Sequence, residues 1–408
     1  MKNNYWIVDN WLIFKPEFNE LLDDYYDVIN KYNKIIFSNY DDPLIAIKTN
    51  NERNRKYLNN YIHNKFNQKI YLTDNINLTH LTFGYYFNQE INLSNNINLT
   101  NLTFGCFFKQ EIDLSNNINL THLTFGHFFN QEIDLSNNIH LTDLTFGYSF
   151  NQEINLSNNI NLTHLTFGEN FNQKINLSNN INLTDLTFGY FFNQEVNLSN
   201  NINLTHLTFG SYINQKIYLT DNINLTHLTF GWNFNQEINL LNNINLTHLT
   251  FKGDYNQEIN LSNNIHLTHL TFGGNFNQEI CLSNNINLTH LTFGNSFNQE
   301  FNNPLNVKSL KMEYCNNQYI IDNLHNNIEE LIIYKSNLNL DNLPNSIKKI
   351  YIDNYKKELN NLPNSIEYLE LKNYELKIKK FPKKLKTIKC DKNYKYIDDF
   401  KNYEVIAF

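Results

Sequence analysis

Residues 87–105 read Phe87-Asn88-Gln89-Glu90-Ile91-Asn92-Leu93-Ser94-Asn95-Asn96-Ile97-Asn98-Leu99-Thr100-Asn101-Leu102-Thr103-Phe104-Gly105. Two variable residues follow, and at Phe108 the pattern begins again. The same step recurs every 21 residues from Phe66 to Phe297, with Ile213 and Tyr255 standing in for phenylalanine. No insertion or deletion breaks the register. Each unit holds two short alternating runs: Ile91 and Leu93 share one face of the first, Leu102 and Phe104 one face of the second. Twenty-one residues are too few for two strands and a full helix. The unit is therefore two strands with turns, or one strand with an extended return. Gly105 fits a turn that needs φ > 0 or a close backbone approach. Asn95-Asn96 fits the opposite corner, where short amides bond the backbone and tolerate the left-handed region. One unit buries too little to fold alone, so neighbours must stack, at about 4.8 Å between parallel rungs. The fold expected is a repeat solenoid, mainly β, of parallel strands on 21-residue rungs.

The length of 408 residues would suggest two or three globular domains, but the internal period overrides that prior. A net charge of −8 gives no reason to expect nucleic-acid binding. Alanine occurs only as Ala46 and Ala407 and arginine only as Arg53 and Arg55, while residues with AT-rich codons dominate. Part of the asparagine content therefore reflects base composition. The start of the chain has no apolar secretory core, and no run of 18 apolar residues appears. Cys106, Cys281, Cys315 and Cys390 lack the spacing of a metal site or disulfide framework, which points to reduced thiols. The location expected is intracellular, in the cytoplasm (the host cytoplasm if the protein is viral).

Leu99-Thr100-Asn101-Leu102-Thr103-Phe104 resembles the L-x-x-L-x-L core of leucine-rich repeats. With the Gly and the Phe-Asn-Gln-x-Ile that follow, the unit closely resembles the FNIP repeat, abundant in social amoebae and in giant viruses of amoebae. The resemblance spans about residues 63–390 and implies a leucine-rich-repeat-like solenoid. Some members of that family carry an N-terminal F-box. Beyond Glu300 the skeleton continues through Val307, Ile328, Ile347, Ile366 and Leu385, the last three steps shortening to 19 residues. Leu343-Pro344-Asn345-Ser346-Ile347 and Leu362-Pro363-Asn364-Ser365-Ile366 resemble the Leu-Pro form of the same repeat. Three segments result: an N-terminal α-containing cap or degenerate F-box-like segment at 1–62, regular repeats at 63–301, and diverged repeats with a C-terminal cap at 302–408. Phe18–Tyr32 is expected to be helical and Lys34–Ser38 a strand. Lys15-Pro16-Glu17-Phe18 departs from the Leu-Pro opening of an F-box.

Three columns of side chains are candidate surfaces. His80, His122, His164, His206, His227, His248, His269 and His290 recur on the second run, alternating early with Asn101, Asp143 and Asp185. Stacked imidazoles suit a metal or a pH response, although no second ligand type gathers around one point. A glutamate column, interrupted by Lys174 and Lys216, reads as a solvated face. The C-terminal lysines read the same way. The two residues after each glycine vary most and are rich in aromatics, the usual anchors of interfaces. The candidate partner-binding residues are Tyr86, Phe107, Phe128, Tyr148, Tyr190, Tyr212 and Trp232. No catalytic, cofactor or metal-binding set is expected. The reading is a non-catalytic solenoid that binds a protein partner, with neither nucleic acid nor membrane, and with oligomeric state open. The alternatives are a substrate adaptor for a ubiquitin ligase and a self-assembling scaffold. One rung should be distorted while keeping register: Lys252 replaces the turn glycine, Tyr255 the phenylalanine, and Leu241 an outward serine.

Overall fold

The computed structural model describes residues 4–51, 62–301 and 306–407. They belong to two compact units, Met1–Leu204 with Thr208–Gly210, and Thr205–Leu207 with Ser211–Phe408. Residues 52–61 of the expected N-terminal segment, and 302–305 at the start of the diverged one, lie outside the described residues.

In the first unit only the second run of each repeat becomes a strand. His80–Thr82, Asn101–Thr103, His122–Thr124, Asp143–Thr145, His164–Thr166 and Asp185–Thr187 pair in parallel, each residue against its equivalent 21 positions on. The first run is an extended return without strand pairing, so the one-strand alternative holds. Leu102 and Leu123 point inward and are almost fully buried. Each such leucine contributes roughly 2 kcal/mol. Behind them run two columns of phenylalanine. Phe125 lies 4.0 Å from Phe129 in its own rung and 5.6 Å from Phe146 in the next, all nearly parallel.

The second residue of the Asn-Asn corner is fully buried in rung after rung, from Asn96 to Asn285. Its amide nitrogen gives both protons to the preceding rung. Asn159 Nδ2 donates to the carbonyls of Leu135 at 3.0 Å and Asn138 at 2.9 Å. These corners do not use left-handed backbone, contrary to the second part of the expectation for them: no residue of the regular repeats has positive φ. The glycines do not use it either. They answer to the other alternative, a close approach. A Cβ on Gly147 would run into the carbonyl oxygen of Gly126, and one on Gly168 into that of Gly147.

The N-terminal segment joins the same sheet. Tyr5–Val8 pairs antiparallel with Trp11–Phe14, which pairs in parallel with Lys34–Phe37, which in turn pairs with His80–Thr82. The expected strand is present. The expected helix is reduced to a 3-10 turn at Asp23–Tyr25 and a short helix at Tyr26–Ile29, and a further helix spans Pro43–Asn51.

In the second unit His227–Phe230, His248–Phe251, His269–Phe272 and His290–Phe293 continue the pattern. Five-residue strands from Ser309–Glu313 to Tyr368–Lys372 follow, then Thr387–Cys390 and Glu404–Ala407. Here the glycine is gone and the strand runs one residue longer. The chain then turns through Tyr314, Lys335, Asn354 and Asn373, all in the left-handed region. Tyrosines take over the aromatic column, and their hydroxyls donate to carbonyls: Tyr355 to Leu338 at 2.8 Å and Tyr374 to Lys357 at 3.1 Å.

At Lys252 the register survives, with Phe251 opposite Phe230 and Phe272. The turn at Trp232-Asn233 gives way to a bend at Gly253-Asp254. Gly253 now occupies the tight place, against the carbonyl of Trp232. Tyr255 lies in the phenylalanine column with its hydroxyl buried and unpartnered. Burial, then the charge of Glu237, pushes the ionisation of that hydroxyl upward.

Two stability outcomes follow. Asn159→Ala removes both amide donors and strands two buried carbonyls. The buried, unpartnered Oδ1 of the same side chain offsets part of that loss, so urea unfolding should show destabilisation of about 2 kcal/mol. Tyr255→Phe removes a desolvated hydroxyl that bonds to nothing, and should stabilise the protein by about 1 kcal/mol in the same measurement.

Candidate functional site

The variable pair after each glycine projects from the turn. All seven expected ridge aromatics are partly exposed, between 37% for Phe107 and 56% for Trp232. They do not form one strip. Tyr86, Phe107 and Phe128 pack as tilted rings with centroids 5.3 and 5.0 Å apart. His127 links Phe128 to Tyr148, at 4.5 and 4.6 Å. Glu169-Asn170 then interrupts the aromatics, and the Glu169 carboxylate accepts the backbone N–H of Tyr190 at 2.9 Å. Beyond this break Tyr190 packs on Phe191. Tyr212 and Trp232 belong to the other unit, in which the pairs from Gly253-Asp254 onward carry no aromatic residue.

The histidine column differs between the units. In the first, His122 Nε2 lies 3.5 Å from Asp143, and His164 lies 3.7 Å from Asp143 and 3.2 Å from Asp185, so imidazoles and carboxylates alternate. In the second, His206, His227, His248, His269 and His290 stack on each other at 4.1–4.3 Å, within 13° of parallel. Each Nδ1 sits about 2.9 Å from the hydroxyl of the preceding threonine, as in His248 with Thr247. That hydroxyl gives its proton to the carbonyl of the previous rung, Thr247 to Thr226 at 3.0 Å. It must therefore accept from Nδ1–H, which leaves Nε2 as the bare nitrogen. Parallel rings point their Nε2 lone pairs side by side, so they do not converge on an ion. No group of three or more His, Cys, Asp or Glu among the described residues is placed to hold a metal.

One exposed column escaped the reading of the sequence. Ile97 and its equivalents, from Ile76 to Ile286, are about half exposed, each next in sequence to the buried asparagine of its own rung. An isoleucine between two asparagines reads as core. Here the buried asparagine takes the inward position and turns its neighbour out.

His248 and His269, inside the stack, resist charging. Burial, then the neighbouring histidines, lowers the pKa of His248, and the same causes bring His269 down to about 4. The unfolded chain takes up protons near 6.5, so folded stability falls as pH drops from about 6.5 toward 4. His248→Gln with His269→Gln should flatten that part of the pH profile of the urea midpoint. Parallel profiles for the variant and the parent chain would show that the stack is not the source.

Comparison with known proteins agrees with this architecture. Residues 334–374, which hold the Leu-Pro units, match the FNIP Repeat family model. The crystal structure of CroV588, described as a novel circular LRR protein and coming from a giant virus, is similar at 29% identity. The match covers 96% of this chain and 77% of that one, with a TM-score of 0.54. The functional domain of InlJ from Listeria monocytogenes matches at 19% identity over 86% of this chain and 75% of that one, with a TM-score of 0.56. The internalin InlF of the same species matches at 21% identity over 69% and 83%, with a TM-score of 0.52. The two Listeria proteins show the fold alone. Among curated proteins nothing matches the chain. No helix among the described residues is long and apolar enough to cross a membrane. Strand, rung and repeat match agree: the chain has a leucine-rich-repeat-like fold, and residues 334–374 match the FNIP repeat.

Proposed function

We propose that the protein is a non-catalytic interaction module that binds a protein partner through the aromatic strip Tyr86–Phe107–Phe128–Tyr148. The observation that carries this is the strip itself: neighbouring rings in contact, each partly open to solvent, on a backbone held in register by the rungs behind it. Large rings on a rigid support lose little conformational entropy on binding and make strong anchors. The strip also varies from rung to rung, as selectivity demands, whereas the glutamate column from Glu90 to Glu300 is interrupted only by Lys174 and Lys216, and the histidines repeat unchanged from His206 to His290. Tyr190, Tyr212 and Trp232 are secondary anchors. The leucine-rich-repeat-like fold supports the same reading, because it is typical of interaction proteins.

A ubiquitin-ligase adaptor would need residues 1–62 to present a ligase-binding surface. The strands at Trp11–Phe14 and Lys34–Phe37 instead pair into the sheet of the repeats, which favours the interaction module over the adaptor. A self-assembling scaffold would show molecular mass rising with concentration in light scattering.

The test is affinity capture with the full chain and with a Tyr86→Ser, Phe107→Ser, Phe128→Ser variant. Loss of three anchors should weaken a captured protein by 100-fold or more, at roughly 1–2 kcal/mol each, with unchanged circular dichroism. A partner held equally well by the folded variant would move the interface to the histidine face.

A further inference from the structure

One arrangement outside the ridge and the histidine column is built twice. Asn67–Gly84 and Asn214–Gly231 are the same 18 residues, seven 21-residue periods apart. Both depart from the Glu90–Asn95 pattern at the same places: Lys69 and Lys216 for glutamate, Tyr71 and Tyr218 for asparagine, Thr73 and Thr220 for serine, Asp74 and Asp221 for asparagine. Each copy lies in its own unit, and each walls a groove. The first encloses about 670 Å³ between Lys69, Tyr71, Glu90, Asn92, Glu111 and Gln131. The second encloses about 730 Å³ between Lys216, Tyr218, Glu237, Asn239, Glu258 and Gln278. Every residue lining the first has the same residue at the matching position of the second. The turns beside them are not alike: Tyr85-Tyr86 stands against Trp232-Asn233, and Cys106-Phe107 against Gly253-Asp254. The two grooves match where the ridge residues differ.

Their chemistry is one-sided. Tyr71 and Tyr218 are the most exposed aromatic rings in the first-run position, at 62% and 73%. The opposite wall consists mostly of hydrogen-bond acceptors. Gln110 and Gln131 spend their Nε2 protons on the carbonyls of Asn88 and Lys109, at 3.2 and 2.8 Å. Gln257 and Gln278 do the same with Asn235 and Asn256, at 3.1 and 3.0 Å. That holds the amides so that their oxygens, with two glutamate carboxylates per groove, remain to accept. The ammonium of Lys69 or Lys216 is the charged donor of each rim, and it balances one of the two carboxylates. An anionic ligand meets excess negative charge there, and an apolar one meets a polar wall. A ligand with a flat C–H face and many hydroxyl donors satisfies both walls at once, and the grooves fall in the size range of small-ligand sites.

We propose that the two grooves are equivalent sites for a sugar residue of a neutral glycan, stacked on Tyr71 or Tyr218 and held through its hydroxyls by the glutamate and glutamine oxygens. The site is separate from the aromatic strip and does not depend on the protein partner proposed above.

Saturation-transfer NMR on the full chain with maltotriose, cellotriose and chitotriose tests this. At least one trisaccharide should receive saturation, strongest on the C–H protons of one pyranose face. Tyr71→Ala and Tyr218→Ala should each remove about half of the signal, as independent sites do, and the double variant should lose it. Tyr71→Phe with Tyr218→Phe, which keeps the rings, should retain it, and Phe107→Ala on the ridge should leave it unchanged. Both tyrosines are exposed, so the variants should fold, and circular dichroism checks that they do. Absence of transfer to all three sugars would overturn the proposal, as would transfer that survives in the folded double alanine variant. So would spermidine binding in the grooves without any sugar binding, which would reassign them to a cationic ligand.

Discussion

Both protons of each buried asparagine amide go to main-chain carbonyls of the rung before it. A coil this thin turns its corners inside its own core, where carbonyls have no strand partner and no water. An unsatisfied carbonyl there costs 1–3 kcal/mol, and every rung would leave two. The asparagine meets both needs with one side chain, and its protons reach only if the next rung stacks directly above. The period of 21 follows from this contact, because a shifted corner loses both bonds together. The aligned phenylalanine columns and the in-register parallel strands have the same cause.

Such close stacking also decides which residues the turns accept. In the regular rungs the glycine carbonyl of one turn fills the space where the next would carry a Cβ. Where the glycine is lost, the chain finds other routes. At Lys252 the tight place moves one residue along to Gly253. In the diverged segment the strand lengthens and Tyr314, Lys335, Asn354 and Asn373 accept the left-handed region, which costs non-glycine residues roughly 1 kcal/mol or more each. The tyrosines there repay their polarity by bonding carbonyls, which Tyr255 does not manage in the packing of the regular rungs.

Much of this was readable in the residues. The alternation of Leu102 and Phe104 marked the strand, the period marked the stack, and the turn pair marked the exposed aromatics. What could not be read came from competition between neighbours. Asn96 and Ile97 sit side by side, and hydropathy assigns the isoleucine to the core. The stack reverses that order, because two unpaired carbonyls outweigh one half-exposed isoleucine. The glycine carried two physical readings, and only the neighbouring carbonyl decides between them. The hairpin of Tyr5–Val8 and Trp11–Phe14 has no period to reveal it. The division of the ridge at Glu169 was visible as a residue, but not as the partner of the Tyr190 backbone. The twin grooves needed the fold to show that the repeated Lys-Ile-Tyr segment meets glutamates and glutamines from the next three rungs.

The near-identity of the rungs has a kinetic side. In the first unit, sliding the strands from His80–Thr82 to Asp185–Thr187 by one whole rung would restore almost every contact within them: leucine on leucine, phenylalanine on phenylalanine, asparagine under asparagine. The repeats alone therefore give a folding chain little means of telling the correct partner from the one 21 residues away, and a slipped stack would be a deep trap. The flanking residues carry that discrimination. Asn75 donates not to another repeat but to the carbonyls of Ile29 and Tyr32, and Asn64 donates to Lys15 and Ser38. These contacts exist in one alignment only, so the irregular N-terminal segment acts as the key that sets the frame for the rungs above it.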